Sequence, residues 1–143
     1  MKNRELAADY VRRAQVRVKA IQVLFDAGSW ADVVRESQEA VELALKGLLR
    51  ASGIEAPRII HDVSDVLNAE RGRLPSSVRG KVDRLAEISR ALRRDRELAF
   101  YGAEDLTPSS FYSREDATRA LDGARLVVRV VRPAVPDEPT REG

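Results

Sequence analysis

Cysteine is absent from this 143-residue chain, which excludes disulfide staples, a thiolate metal site and a thiol nucleophile. Histidine occurs once, as His61, so a histidine-based metal cluster is excluded as well. No stretch approaches the ~20 apolar residues that cross a bilayer, and the opening MKNRELAADY lacks the apolar core of a secretory leader. Walker loops, dinucleotide fingerprints and Ser-His-Asp arrangements are missing too. A cytoplasmic protein with no membrane partner, no metal and no cofactor is expected.

Charged residues are plentiful, 34% of the chain, but acids and bases nearly cancel to a net +2. Interspersed charge of this kind marks solvated helix faces, and the net value alone does not call for nucleic acid. Lysine is confined to Lys2, Lys19, Lys46 and Lys81, so the remaining bases are arginine. The planar fork of arginine suits phosphate better than the point charge of lysine.

Ala7, Val11, Ala14, Val18, Ile21 and Phe25 recur every three or four residues, predicting a helix from about 4 to 26 that ends at Gly28. Arg12, Arg13, Arg17 and Lys19 occupy its opposite face. Ser29 and Asp32 have capping-box spacing and open a second helix from Trp30 to about Ser52, with Val34, Ser37, Val41, Ala44, Leu45 and Leu48 as its stripe and Gly53 as its stop. So short a turn implies an antiparallel pair. A short third helix is expected from His61 to about Glu70, and a long fourth one from Pro75 to about Leu98. Residues 100–113 read as a loop, and Ser113 with Asp116 caps a last helix through Ala117, Leu121, Ala124, Val128 and Val131. Three prolines in PAVPDEPTREG predict that residues 133–143 form a tail without structure, leaving one all-α, antiparallel up-and-down bundle of four long helices and one short helix over residues 1–132.

Within that layout, Ser37-Gln38-Glu39-Ala40-Val41-Glu42-Leu43-Ala44-Leu45-Lys46-Gly47-Leu48-Leu49 resembles the second-helix signature of the HEPN domain family. The Ala8-Asp9 helix start, the His61-Asp62 step and the Ala117, Ala120, Ala124 pattern agree with it over about residues 5 to 131. The resemblance implies a helical bundle that dimerises, often encoded beside a small nucleotidyltransferase in toxin-antitoxin or defence modules. It also implies a metal-independent endoribonuclease motif: an arginine, a polar residue after it, a histidine four to six residues on, and in the toxin type a tyrosine two residues later that the partner modifies with adenylate.

Arg94-Asp95-Arg96-Glu97-Leu98-Ala99-Phe100-Tyr101 reproduces the arginine, the polar residue and the tyrosine in register, but the histidine position is Ala99. RNA cleavage without metal needs a group that takes or gives a proton near neutral pH, and histidine suits this task. Alanine can do neither. The resemblance therefore implies a cleft in which Arg94 contacts phosphate, Asp95 orients it and Tyr101 accepts adenylate, with weak or no ribonuclease activity.

Other residues admit two readings. Glu42 and Lys46, four apart on one helix face, make either an ordinary surface ion pair or part of a dimer cleft. Arg90, Arg93, Arg94 and Arg96 either offset the negative end of a helix dipole or form a phosphate-binding wall beside Phe100 and Tyr101. His61 reads first as a structural residue at a helix entry, although it is the only conventional base in the chain. Three functions stay open at this point: an RNA- or nucleotide-binding HEPN protein paired with a nucleotidyltransferase, an active endoribonuclease with a variant Arg/Tyr motif, and a purely structural interaction module.

Overall fold

In a computed structural model, residues 2–55, 63–100 and 111–136 are described, and among them every regular element is helical. The order is α1 (Lys2–Asp26), α2 (Trp30–Ala51), α3 (Val63–Ala69), a three-residue 3-10 turn (Arg71–Arg73), α4 (Ser76–Arg79), α5 (Val82–Phe100), α6 (Arg114–Val131) and a closing 3-10 turn (Arg132–Ala134). The all-α bundle expected from the periodicity is the observed architecture.

Helix α1 is joined to α2 by a turn that two unusual backbone features make possible. Gly28 sits at φ 74°, the left-handed region glycine tolerates best, and the Ser29 amide donates five residues back to the Leu24 carbonyl at 3.0 Å. The end of α2 repeats the device, with Gly53 at φ 75° and Ile54 N–H donating to the Leu49 carbonyl at 2.8 Å. Phe25 and Trp30 then meet edge to face, ring centroids 5.1 Å apart, closing the hairpin.

Helix α2 is central and packs on α1, α3, α5 and α6. All six of its expected stripe residues, Val34 through Leu48, are buried. The two hairpin helices approach closely at Gly47, where an added Cβ would lie 2.9 Å from Val11 Cγ2 and 3.0 Å from the Ala7 carbonyl oxygen. Gly123 plays the same part between α6 and α5, with Ile88 Cγ2 3.0 Å from its would-be Cβ.

Four details differ from the sequence expectation. The predicted fourth helix is two helices, because at Gly80-Lys81 the chain tightens: Lys81 N–H donates to the Val78 carbonyl three residues back at 2.8 Å, and α5 begins afresh with Leu85 N–H on the Lys81 carbonyl at 3.0 Å. Glycine carries the lowest helix propensity after proline, so the break falls there, and it leaves both Val78 and Val82 fully buried. Ser29 does not cap α2 with its side chain; its hydroxyl donates instead to Asp32 Oδ2 at 2.6 Å. Helix α5 runs through Phe100, past the expected start of the loop. Finally, Pro133–Pro136 are part of the folded body, since Val135 is only 4% exposed and joins the main core. Proline stops the α-helix, as expected, but a 3-10 turn with proline at its start needs no amide there. Residues 137–143 lie outside the described ones.

The second cap holds as read. Ser113 Oγ accepts from the Asp116 amide at 3.2 Å, while Ser113 N–H donates to Asp116 Oδ2 at 2.8 Å, a complete capping box. No described helix is long and apolar enough to cross a membrane.

Candidate functional site

The arginine-rich part of α5 is fixed by the burial of its other faces. Leu85, Ala86, Ile88, Ser89 and Leu92 are buried, and this turns Arg90 and Arg94 outward. These two are one turn apart on the same side, with Arg93 half-buried beside them. Arg90 reaches α3, its Nε donating to Ser64 Oγ at 3.2 Å. The exposed ridge thus lies on the α3 side of α5.

Asp95 follows Arg94 in sequence but is rotated ~100° around the helix, toward α6. It lines a groove of about 350 Å³ between α5 and α6 together with Arg84, Arg119, Asp122 and Gly123. Burial pushes its carboxyl above the usual carboxylate value; the charge of Asp116 acts in the same direction, and Arg94 and Arg119 act against it. Arg119 is itself engaged by Asp116 Oδ1 at 2.6 Å. Arg94 is exposed on the outer face of α5 and Asp95 also lines the α5–α6 groove, the two side chains staying near enough for the Arg94 charge to act on the Asp95 carboxyl.

A residue that sequence reading placed merely in the preceding loop braces this groove. The Tyr112 hydroxyl donates to the backbone carbonyl of Asp95, tying the start of α6 to the second half of α5. Its ring, 7% exposed, packs edge to face on Phe111 with centroids 5.2 Å apart. An aromatic residue directly before a capping box was the available signal, since an apolar group there commonly packs back on the chain.

The Tyr112 phenol is pushed up to about 12 from 10.0, chiefly by burial, then by the charges of Asp95 and Asp116. Because the folded value is the higher one, the unfolded chain loses this proton first as pH rises. Stability is therefore fully present below pH 10 and declines as pH climbs toward about 12. Tyr112→Phe is expected to flatten that decline relative to the parent and to lower stability at pH 7 by about 1 kcal/mol through the lost hydrogen bond. Urea unfolding of both proteins at pH 7, 10 and 11.5 checks it, and parallel alkaline slopes would refute it.

On α2, Glu42 accepts from Gln38 Nε2 at 2.6 Å and has Lys46 Nζ at 4.0 Å, so both charged groups are satisfied along their own helix. A half-exposed pair of this type is worth only ~0.2–0.5 kcal/mol. His61 and Tyr101 lie outside the described residues, and so does the side chain of Arg96; the backbone of Arg96 and Ala99 belongs to α5. Among the described residues no cluster of three acidic or imidazole groups is arranged to hold a metal ion.

The HEPN domain profile matches residues 7–134, nearly the whole chain. The chain belongs to the HEPN family. No curated protein and no solved structure matches it. The match ends at Ala134, within the 3-10 turn that follows α6. HEPN domains form a nucleotide-binding or ribonuclease-like class of module, and the arginine ridge of α5 lies within the matched span.

Proposed function

We propose that this HEPN protein binds RNA or a nucleotide phosphate along the Arg90–Arg93–Arg94 ridge, as a homodimer paired with a minimal nucleotidyltransferase in a toxin-antitoxin or defence module. It cleaves RNA weakly or not at all, because Ala99 stands where the family's proton-transfer histidine belongs. Tyr101 is the acceptor for adenylate: its hydroxyl attacks the α-phosphorus of a nucleoside triphosphate, and pyrophosphate leaves.

The observation that supports this reading is the outward arginine ridge on α5, the helix whose sequence carries an alanine at the histidine position. Arg94 is exposed and one turn from Arg90, a spacing of about 6 Å that lets both guanidinium groups meet neighbouring phosphates. Asp95, next to Arg94 and within reach of its charge, orients that phosphate contact, while its backbone carbonyl takes the Tyr112 hydroxyl.

The test is fluorescence anisotropy of a labelled single-stranded RNA in EDTA. Arg93→Glu with Arg94→Glu should weaken binding at least tenfold and shallow the salt dependence, since each lost phosphate contact removes ~0.7 from the single-strand slope. Unchanged affinity would instead favour an interaction module whose arginines serve solubility. Sedimentation that finds only monomer at micromolar concentration would remove the dimer.

A further inference from the structure

The sequence beyond Pro136 is acidic: Asp137-Glu138-Pro139-Thr140-Arg141-Glu142-Gly143 holds three carboxylates against one base. Pro136, from which it departs, lines a groove between α1 and α6. That groove has a volume of about 780 Å³, and its lining contains four cations, Lys19, Arg125, Arg129 and Arg132, and no acid.

Two of the four cations are held by amides. Arg125 donates through Nη2 to Gln22 Oε1 at one end of the groove. At the other, with the Gln15 amide turned to satisfy its neighbours, Gln15 Oε1 accepts from Arg132 Nε at 2.8 Å and Nη1 at 3.2 Å. A glutamine orients a guanidinium without neutralising it. The one carboxylate near, Asp122, is 69% exposed and 4.0 Å from Arg125 Nη1, the outer limit of an ion pair. Lys19 and Arg129, between the two bridges, have no hydrogen-bond or ion-pair partner among the described residues.

Charge and length both match the acidic segment to this groove. The Val135 amide donates to the Arg132 carbonyl at 3.2 Å, which holds Pro136 at the Arg132 end. From there to Arg125 is seven helical residues, ~10 Å. An extended chain advances about 3.3 Å per residue, so Glu138 and Glu142 would stand about 13 Å apart, enough to answer both ends. In that conformation Glu138, Thr140 and Glu142 share one side, and the single base, Arg141, projects from the other. Val11, Val18 and Val128 give the groove an apolar floor for the Thr140 methyl group. Pro139 has no amide to leave unpaired, and its fixed φ lowers the entropy lost on ordering.

We propose that residues 137–143 of this chain fill the α1–α6 groove as an extended strap, Glu138 pairing with Arg132 and Arg129, Thr140 lying on the valine floor, and Glu142 pairing with Arg125 and Lys19. Tethered at Pro136, the strap meets the groove at an effective concentration on the order of millimolar, so modest ion pairs suffice to seat it. Its release bares four cations, which makes the groove open with rising ionic strength. The inference does not rest on the function assigned to the α5 ridge.

Because the chain has no cysteine, an engineered pair reports the seating directly. Thr140→Cys with Val18→Cys should form an intramolecular disulfide under mild oxidation at least tenfold faster than Thr140→Cys with Val16→Cys. Val16 is 61% exposed, so access favours the control. Adding Glu138→Lys with Glu142→Lys should erase the preference, and so should salt at about 1 M, where screening acts within ~3 Å. In the unaltered chain the amide heteronuclear NOE of Thr140 and Glu142 should approach that of α6, and the double lysine variant should lower it to unfolded-chain values. Equal trapping at positions 16 and 18 would overturn the proposal, as would a preference that survives the lysines or unfolded-chain NOE values in the unaltered protein. A Val18→Cys disulfide that forms only between two chains would overturn it too, by seating a second copy's segment in the groove.

Discussion

Leu48→Ala is expected to cost about 3 kcal/mol of stability, within the ~2–5 kcal/mol typical of emptying a fully buried leucine site. Leu48 is completely buried, in the main core cluster, on the helix that packs against α1, α3, α5 and α6. Its cavity would be walled by several helices already pinned together, among them the α1–α2 pair at Gly47, so collapse onto the hole is restricted. For a domain of this size, roughly 2–4 °C per kcal/mol corresponds to a melting temperature lowered by about 6–12 °C. Calorimetry reads this directly. A drop below 2 °C would mean that α2 is not the rigid centre described above.

The second large effect is a gain. Ala99→His should raise metal-independent cleavage of single-stranded RNA by about 100- to 10,000-fold over the parent, the usual worth of a general acid-base group. Helix α5 extends through residue 100, so position 99 is carried on the same rigid element as Arg94. The restored activity should peak near neutral pH, where imidazole exchanges protons, and adding Arg94→Ala should abolish it. A gain below tenfold, in a variant that folds and still binds RNA, would show that more than the histidine has been lost. Since the parent activity is expected near background, the cleavage assay must include EDTA to exclude contaminating metal-dependent nucleases.

Much of this architecture was legible in the residues because spacing fixes which side of a helix is buried. The stripes of α2 and α6, from Val34 to Val131, are buried throughout. Gly28 and Gly53 take the left-handed conformation that ends a helix, and the Ser113–Asp116 cap forms both of its bonds. What escaped was decided by tertiary geometry. The break at Gly80 leaves the apolar spacing undisturbed, since Val78 and Val82 stay four apart and both point inward. At Ser29, the hydroxyl found a carboxylate nearer than the backbone amides, which no local pattern distinguishes from a working cap.

The candidate site was legible in part, for a related reason. Arg94 and Asp95 are adjacent in sequence, and a helix turns them ~100° apart, so Asp95 also lines the α6 groove while remaining within reach of the Arg94 charge. The bond from Tyr112 to the Asp95 carbonyl spans 17 residues, and the aromatic before the cap marks only that Tyr112 packs, not which carbonyl it reaches. The α1–α6 groove was equally hidden: Lys19 and Arg129 belong to opposite ends of the chain and meet only because the first and last long helices lie side by side.

The turn after α6 moves the last buried anchor of that helix from Val131 to Val135. A helix whose final anchor is Val131 would fray from its last carbonyls inward; here Val135, one step beyond the turn, clips the terminus to the body like the tongue of a buckle. A cut after residue 132 would remove one wall of the α1–α6 groove and loosen the helix that supplies the other.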